Sequence, residues 1–355
     1  MNKFNYEWTL KDANFTKDKG SVFSCFACGG GSTMGYKLAG FDVIGCNEID
    51  PKMIEAYRAN HNPKYSYLEP IQEFKNRDDL PKELYNLDIL DGSPPCSSFS
   101  MAGNREKDWG KDKKFREGQA EQVLDTLFFD FLDLGEKLQP KVIIAENVKG
   151  MLLGAAQKYV DKVLTCFDEI GYYVDFKLLD ASKMGVPQRR ERVFFYAIRK
   201  DLYKGGFEDL FGTRPILDLE FNEPGIKFKD IKDLKGRALG EGGKLKELWS
   251  LRQPQDKGMA DTCIREWNRN AYFNQSYLHD NLISSTTTAK EDSLIIYESP
   301  RYTSKNEICK IGSYPLDYNF LGKKAHYFVG MSVPPVMTAQ IATRVYEQWL
   351  NDAAK

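Results

Sequence analysis

Between residues 21 and 199, short apolar, β-prone runs alternate with helical stretches, and the turns joining them are brief. SVFSCF, FDVIGCNEID, NLDIL, KVIIAEN, YVDFKLLD and RVFFYAIR read as strands. PKMIEAYRANH reads as a helix with proline in its first turn. EQVLDTLFFDFLDLGEKL is a strongly amphipathic helix, and YVDKVLTCFDEIGY is another that ends near Gly171. Such alternation predicts a parallel sheet covered by helices. The pattern breaks after residue 200. From there to about 285 the chain is rich in Gly, Pro, Asn and charge, with no clear period, and reads as a second, smaller domain. Regularity returns in TAQIATRVYEQWL, a helix.

In such sheets, ligands gather outside the carboxyl ends of the strands. Polar clusters stand there after nearly every apolar run. ACGGGSTMG follows the first strand, and Asn47-Glu48 closes the second. Pro94-Pro95-Cys96 follows NLDIL, Glu146-Asn147 closes KVIIAEN, and Gln188 to Arg192 fills the last loop. The glycines let the backbone approach a ligand, and an acid nineteen residues after Gly29 can accept hydrogen bonds from two ribose hydroxyls. That is the logic of a nucleoside site, although CGGGSTMG is not G-x-G-x-x-G and does not require NAD. The alternative is a tight turn that uses glycine for steric reasons alone.

A cysteine that only packs needs no double proline before it. Cys96 on this rim, near arginines, has the setting of a thiolate nucleophile. Glu146 ends an apolar strand, where a carboxylate is costly unless paired or used. Arg190 and Arg192 lie two apart, so an extended segment turns both to one side, where a salt bridge to Glu146 and a grip on a substrate oxygen are compatible. Metal chemistry has little to draw on: the three histidines are unspaced, and Cys25 and Cys28 form a lone C-x-x-C. Seven scattered cysteines fit a reduced cytoplasmic protein. No apolar run is long enough to span a membrane, and the polar N-terminus does not resemble a signal peptide. A net charge of -1 neither advertises nucleic-acid binding nor excludes it.

These clusters, in this order, resemble the DNA cytosine-5 methyltransferases. The likeness runs from about Val22 to the C-terminus: the glycine turn with NEID, PPCSSFS with SMAGNRE, LFFD, ENV, QRRER, RYTSKNEICKIGSYPLDYNF and GMSVPP. It implies a Rossmann-like S-adenosylmethionine-dependent sheet with helices on both faces, plus a smaller irregular target-recognition domain. The expected divisions are an N-terminal extension at 1–20, a catalytic and cofactor domain at 21–200, a recognition domain at 201–300 and a returning segment at 301–355. The resemblance assigns the cofactor to Phe26, Ala27, Gly29, Gly30, Gly31, Glu48, Ile49, Ile71, Pro95, Leu127, Ser332 and Val333. It assigns catalysis to Cys96, Glu146, Arg192 and Arg190. A cytosine is flipped from duplex DNA, Cys96 adds to C6, and C5 takes the methyl group.

DNA contacts fall to a glycine-interrupted basic loop after Cys96, with Ser97, Arg105 and Lys107, and to Arg252, Arg265 and Arg269. The resemblance further implies a monomer, and a bacterial or phage setting with or without a cognate restriction endonuclease. Three positions depart from the family pattern. Cys28 replaces a glycine, which is costly if φ is positive there and harmless if only a small side chain is needed. Pro70-Ile71-Gln72 stands at the adenine turn, and Met331 replaces an asparagine. Competing readings are a tRNA methylase, a catalytically silent DNA-binding relative and a nucleotide-dependent oxidoreductase.

Overall fold

The computed structural model describes residues 4–95, 112–113, 122–123, 126–209, 212–269 and 274–351. The chain divides into two compact units: residues 14–180, 191–220 and 338–355 form one, and residues 1–13, 181–190 and 221–337 form the other.

The first unit is built on a seven-stranded sheet. Its strands are β1 (Ser21–Cys25), β2 (Asp42–Glu48), β3 (Tyr65–Leu68), β4 (Ile89–Gly92), β5 (Val142–Val148), β6 (Tyr172–Asp180) and β7 (Glu191–Arg199). Their spatial order is β3-β2-β1-β4-β5-β7-β6. The strand order reverses about β1 and β4, so the loops after those strands open on the sheet's switch point. The expected all-parallel sheet needs one correction. β7 runs antiparallel to both β5 and β6. The cause is the short link between β6 and β7, residues 181–190, too short to hold the crossover helix that a parallel return needs. Sequence reading also passed over β3, a four-residue edge strand of only partial burial.

The longer helices that cover the sheet from within residues 14–180 are α1 (Gly31–Leu38), α2 (Pro51–His61), α3 (Leu127–Leu138) and α4 (Gln157–Glu169). α2 spans the expected segment: Asp50 caps the N–H groups of Lys52 and Met53, and Asn62 closes it in the left-handed region. α3 starts at Leu127, later than its periodicity suggested, because Gln122 and Val123 pair instead with Lys113 and Asp112 in a short antiparallel ladder.

Strand alternation divides the sheet's side chains cleanly. Phe23, Leu90, Ile143, Ala145, Phe195 and Ala197 point to one face and pack with Phe128, Phe131, Val160, Val163 and Phe167 of α3 and α4. Burying each such side chain contributes roughly 1.5–3 kcal/mol. Gly92 is part of this fit, because a Cβ there would lie 2.5 Å from the Phe131 ring. The register places Ser24, Asp91 and Ile144 in line on the other face, with Glu146 two residues beyond Ile144.

The second unit has a small core of Leu239, Leu248, Met259, Tyr277, Ile295 and Tyr302. It contains α5 (Lys244–Ser250), α6 (Met259–Trp267) and a parallel pair, β8 (Ser276–Leu278) with β9 (Leu294–Ile296). Arg301 forms a two-pronged pair with the fully buried Glu307, at 2.8 and 2.9 Å. Among the described residues, no helix is long and apolar enough to cross a membrane.

Candidate active site

The turn after β1 is a chain of left-handed residues at alternate positions: Phe26 at φ 52°, Cys28 at 48° and Gly30 at 85°. The geometry decides the question raised by Cys28. Its position is left-handed, so a cysteine there carries backbone strain that glycine would not. Gly30 is also forced by packing, since a Cβ would sit 2.3 Å from His61 Nε2. His61, which no sequence motif marked, is buried with Nε2 3.3 Å from the Gly29 carbonyl. Burial and the nearby Lys37 push its pKa down to about 3, so the ring is neutral.

Glu48 ties this turn to the end of β2. Its Oε2 accepts the Cys28 N–H at 2.7 Å and its Oε1 accepts the Asp50 N–H at 2.8 Å. Burial pushes the carboxyl up to about 7, against the pull of these backbone N–H groups. The Ala27 N–H donates to the Asn47 carbonyl, and the Asn47 amide donates to the Glu69 carbonyl at 2.9 Å. Ile49 is half-buried beside them, while Gly29 and Gly31 are buried. Ile71 and Leu127 are buried in one apolar cluster, and the half-buried Phe26 packs against it. The structure therefore brings together the Phe26, Ile71 and Leu127 positions singled out from sequence.

On the neighbouring strands, Arg192 Nε lies 2.8 Å from Glu146 Oε1, and both side chains are largely shielded from solvent. The register explains the pair. Arg192 stands opposite Val148 on the antiparallel strand, and Glu146 is two residues from Val148 on the same face. The Arg192 Nη1 also donates to the Glu191 carbonyl. Asn147 faces the other way, and its amide donates to the Pro94 carbonyl at 3.1 Å. This fixes the backbone just ahead of the half-buried Pro95. Cys96, Ser97, Arg105 and Lys107 lie outside the described residues.

Arg190 has a different setting from Arg192. It is buried, and its Nη1 and Nη2 donate to the carbonyls of Thr287 and Gly330 at 3.3 and 3.2 Å. Gln188 works alongside it, donating to the Ile311 carbonyl and accepting the Thr287 N–H. Ser332 and Val333 are buried, with Ser332 accepting a 2.6 Å bond from the Tyr314 hydroxyl. Arg252 stacks 3.4 Å from the Trp249 ring centroid and donates to the carbonyls of Trp249 and Tyr297. Arg265 pairs with Asp256 and Glu266 and donates to the Leu251 carbonyl. Arg269 is exposed, next to the left-handed Asn268 that ends α6. Of the three described arginines expected to touch DNA, Arg252 and Arg265 bond main-chain carbonyls of their own unit.

A model of the C-5 cytosine-specific DNA methylase family matches residues 20–347. The chain belongs to that family. The methyltransferase is 34% identical over 283 residues to the Type II methyltransferase M.FnuDI of Fusobacterium nucleatum, covering 79% of this chain and 69% of that one. It is 27% identical over 341 residues to the Type II methyltransferase M1.HphI of Haemophilus parahaemolyticus, covering 92% and 87%. Among solved structures it resembles a putative DNA modification methyltransferase encoded within an E. coli prophage. That likeness has a TM-score of 0.63 at 21% identity, over 94% of this chain and 99% of the other, and shows a shared fold. The family makes this chain a DNA cytosine-5 methyltransferase and implies S-adenosylmethionine as its methyl source.

Proposed function

We propose that the chain methylates C5 of a cytosine flipped out of a specific duplex DNA sequence, through a covalent bond between Cys96 and C6. The observation that carries this reading is the Glu146–Arg192 pair at the sheet rim, with Glu146 on the strand beside the one that leads to Cys96 and Arg192 on the next strand out. Cytosine C6 is a weak electrophile. Attack there needs a thiolate on one face and a hydrogen-bond donor at N3 on the ring edge. Glu146, in its protonated form, donates to N3 while its other oxygen accepts from the exocyclic amine, and Arg192 holds Glu146 in place while its remaining N–H groups face the O2 side.

S-adenosylmethionine supplies an electrophilic methyl group on a sulfonium. The residues around the glycine turn fit it: Glu48 uses one lone pair on each oxygen for a backbone N–H and keeps others for ribose hydroxyls. Ile49 and Ile71 flank the adenine side, and Phe26, Pro95 and Leu127 contribute apolar surface. As the Cys96–C6 bond forms, electron density moves onto C5, which would take the methyl group as the methyl–sulfur bond of the sulfonium breaks and the sulfur departs as a neutral thioether. A base then takes the C5 proton, the pair returns to the ring, and the thiolate leaves. Arg190 and Ser332 act as braces in this scheme. Arg269 and the basic loop at Ser97, Arg105 and Lys107 contact DNA. The protein acts as a monomer, alone or paired with a cognate restriction endonuclease.

Duplex DNA carrying 5-fluorocytosine tests the covalent step, because fluorine at C5 cannot leave as a proton does. With S-adenosylmethionine present, a denaturation-resistant protein–DNA adduct is expected at Cys96 and absent in Cys96→Ser. An adduct at another residue, or none from an active protein, would overturn the reading.

A further inference from the structure

Asp91 is a buried carboxylate that the scheme above leaves without work. It lies in β4, five residues before Cys96, and it is 5% exposed. Its Oδ2 accepts the Ser24 hydroxyl at 2.6 Å, and its Oδ1 accepts the Tyr36 hydroxyl at 3.1 Å. Ser24 is in β1, the strand that runs into the glycine turn; Tyr36 is in α1, the helix that leaves it. All three side chains are buried. The two hydroxyls donate to an acid in a site where an apolar residue would be the ordinary choice for a strand face, and burial pushes the Asp91 carboxyl up to about 7.

The register shows what this arrangement connects. Ser24 pairs with Asp91, and Asp91 pairs with Ile144, two residues before Glu146 on the same face. One carboxylate therefore joins both arms of the cofactor turn to the strand that leads toward Cys96 in the sequence, beside the strand that carries Glu146. Methyl transfer needs the methyl donor and the nucleophile held at a fixed separation across one ring, and small displacements there are costly. We propose that Asp91 is a positioning residue that locks the cofactor turn to the strand preceding Cys96, through Ser24 and Tyr36. This rests on the assignment of Cys96 as nucleophile.

Two half-reactions separate the effects. Cofactor binding is measured by calorimetry on the free protein. Addition of Cys96 to C6 is followed without cofactor, as release of tritium from DNA labelled at cytosine C5. Asp91→Asn keeps the shape and removes the charge, and it is expected to weaken both at least about tenfold with the melting temperature nearly unchanged. Tyr36→Phe removes the contact to α1 alone, and it is expected to weaken cofactor binding while sparing tritium release. If Asp91→Asn leaves both half-reactions at wild-type levels, or alters one only, the coupling is refuted and the carboxylate merely fills space. If wild-type protein releases no tritium while Cys96→Ser still methylates DNA, the Cys96 assignment fails first, and this proposal fails with it.

Discussion

Arg190 and Arg192 stand two residues apart, yet they belong to different units and answer to different rules. Arg192 sits in a strand, and its partner is another side chain, Glu146, one diagonal step across the ladder. Arg190 sits in a loop, and it bonds to main-chain carbonyls of Thr287 and Gly330. The same contrast separates the sheet rim from the second unit as a whole. In the sheet, backbone groups satisfy one another, so polar side chains at the strand ends are left for chemistry. In the second unit, regular pairing is scarce and buried carbonyls need other donors. Arginine meets that need with five N–H groups. Arg252 donates to Trp249 and Tyr297, Arg265 to Leu251, and Arg301 to Asp233, Lys235 and Tyr302. An arginine in an irregular region is therefore a weak sign of DNA contact until its partners are known.

Removing a brace should break the second unit and removing a rim residue should not. Arg301→Ala leaves Glu307 buried and unpaired, and a loss of about 3–5 kcal/mol is expected from urea unfolding of the whole chain. Arg192→Ala should instead leave the urea midpoint close to wild type and lower kcat roughly 10²–10³-fold in single-turnover methyl transfer. Unfolding of Arg192→Ala as severe as that of Arg301→Ala would erase the distinction.

The rim should also respond to pH through Glu48. Its carboxyl is pushed up to about 7 by burial, and only the ionised form can accept from two ribose hydroxyls. S-adenosylmethionine affinity should therefore fall as pH drops below about 7, by at most about tenfold per pH unit. Glu48→Gln should bind weakly and show no such slope in calorimetry. The stability of the free protein carries the opposite sign. Folded Glu48 holds its proton more tightly than the unfolded chain does. Its stabilising contribution is full below the ordinary value of 4.5 and is lost as pH rises through about 7.

Smaller effects sharpen the same contrast. Among the described arginines weighed for DNA contact, Arg269 is the exposed one, so Arg269→Ala should weaken DNA binding by about 1–3 kcal/mol or reduce the salt slope by about 1, with no change in melting temperature. Arg252→Ala should show the reverse, a stability loss with its DNA effect following the fold. The smallest expected change is a gain. Cys28→Gly relieves a left-handed cysteine and should stabilise the chain by about 1 kcal/mol in urea, with cofactor affinity retained.

The sheet was readable because its strands are short apolar runs that end in polar residues, and the alternation of burial along them follows directly. The reversal of β7 was not readable, since apolar content says nothing about direction; the length of the 181–190 loop was the available clue. An arginine partner for Glu146 was legible, but not that it would be Arg192 rather than Arg190, nor the diagonal register that joins the pair. Asn147 was marked only as part of a strand-end cluster, and His61 and Asp91 were passed over, for one shared reason. Each acts through a partner distant in sequence, on Pro94, Gly29 and Ser24 with Tyr36. The main-chain partners of Arg252 and Arg265 were hidden for the same reason. The grouping of residues 1–13 and 181–190 with the second unit likewise has no local signature.

The most direct test of the account is methyl transfer from labelled S-adenosylmethionine to mixed-sequence duplex DNA, read by base analysis and bisulfite sequencing, with Cys96→Ser in parallel. The account expects 5-methylcytosine at one recurring sequence with the wild-type chain and none with the variant. Methylation that survives in Cys96→Ser, or that appears on tRNA and never on duplex DNA, would contradict it.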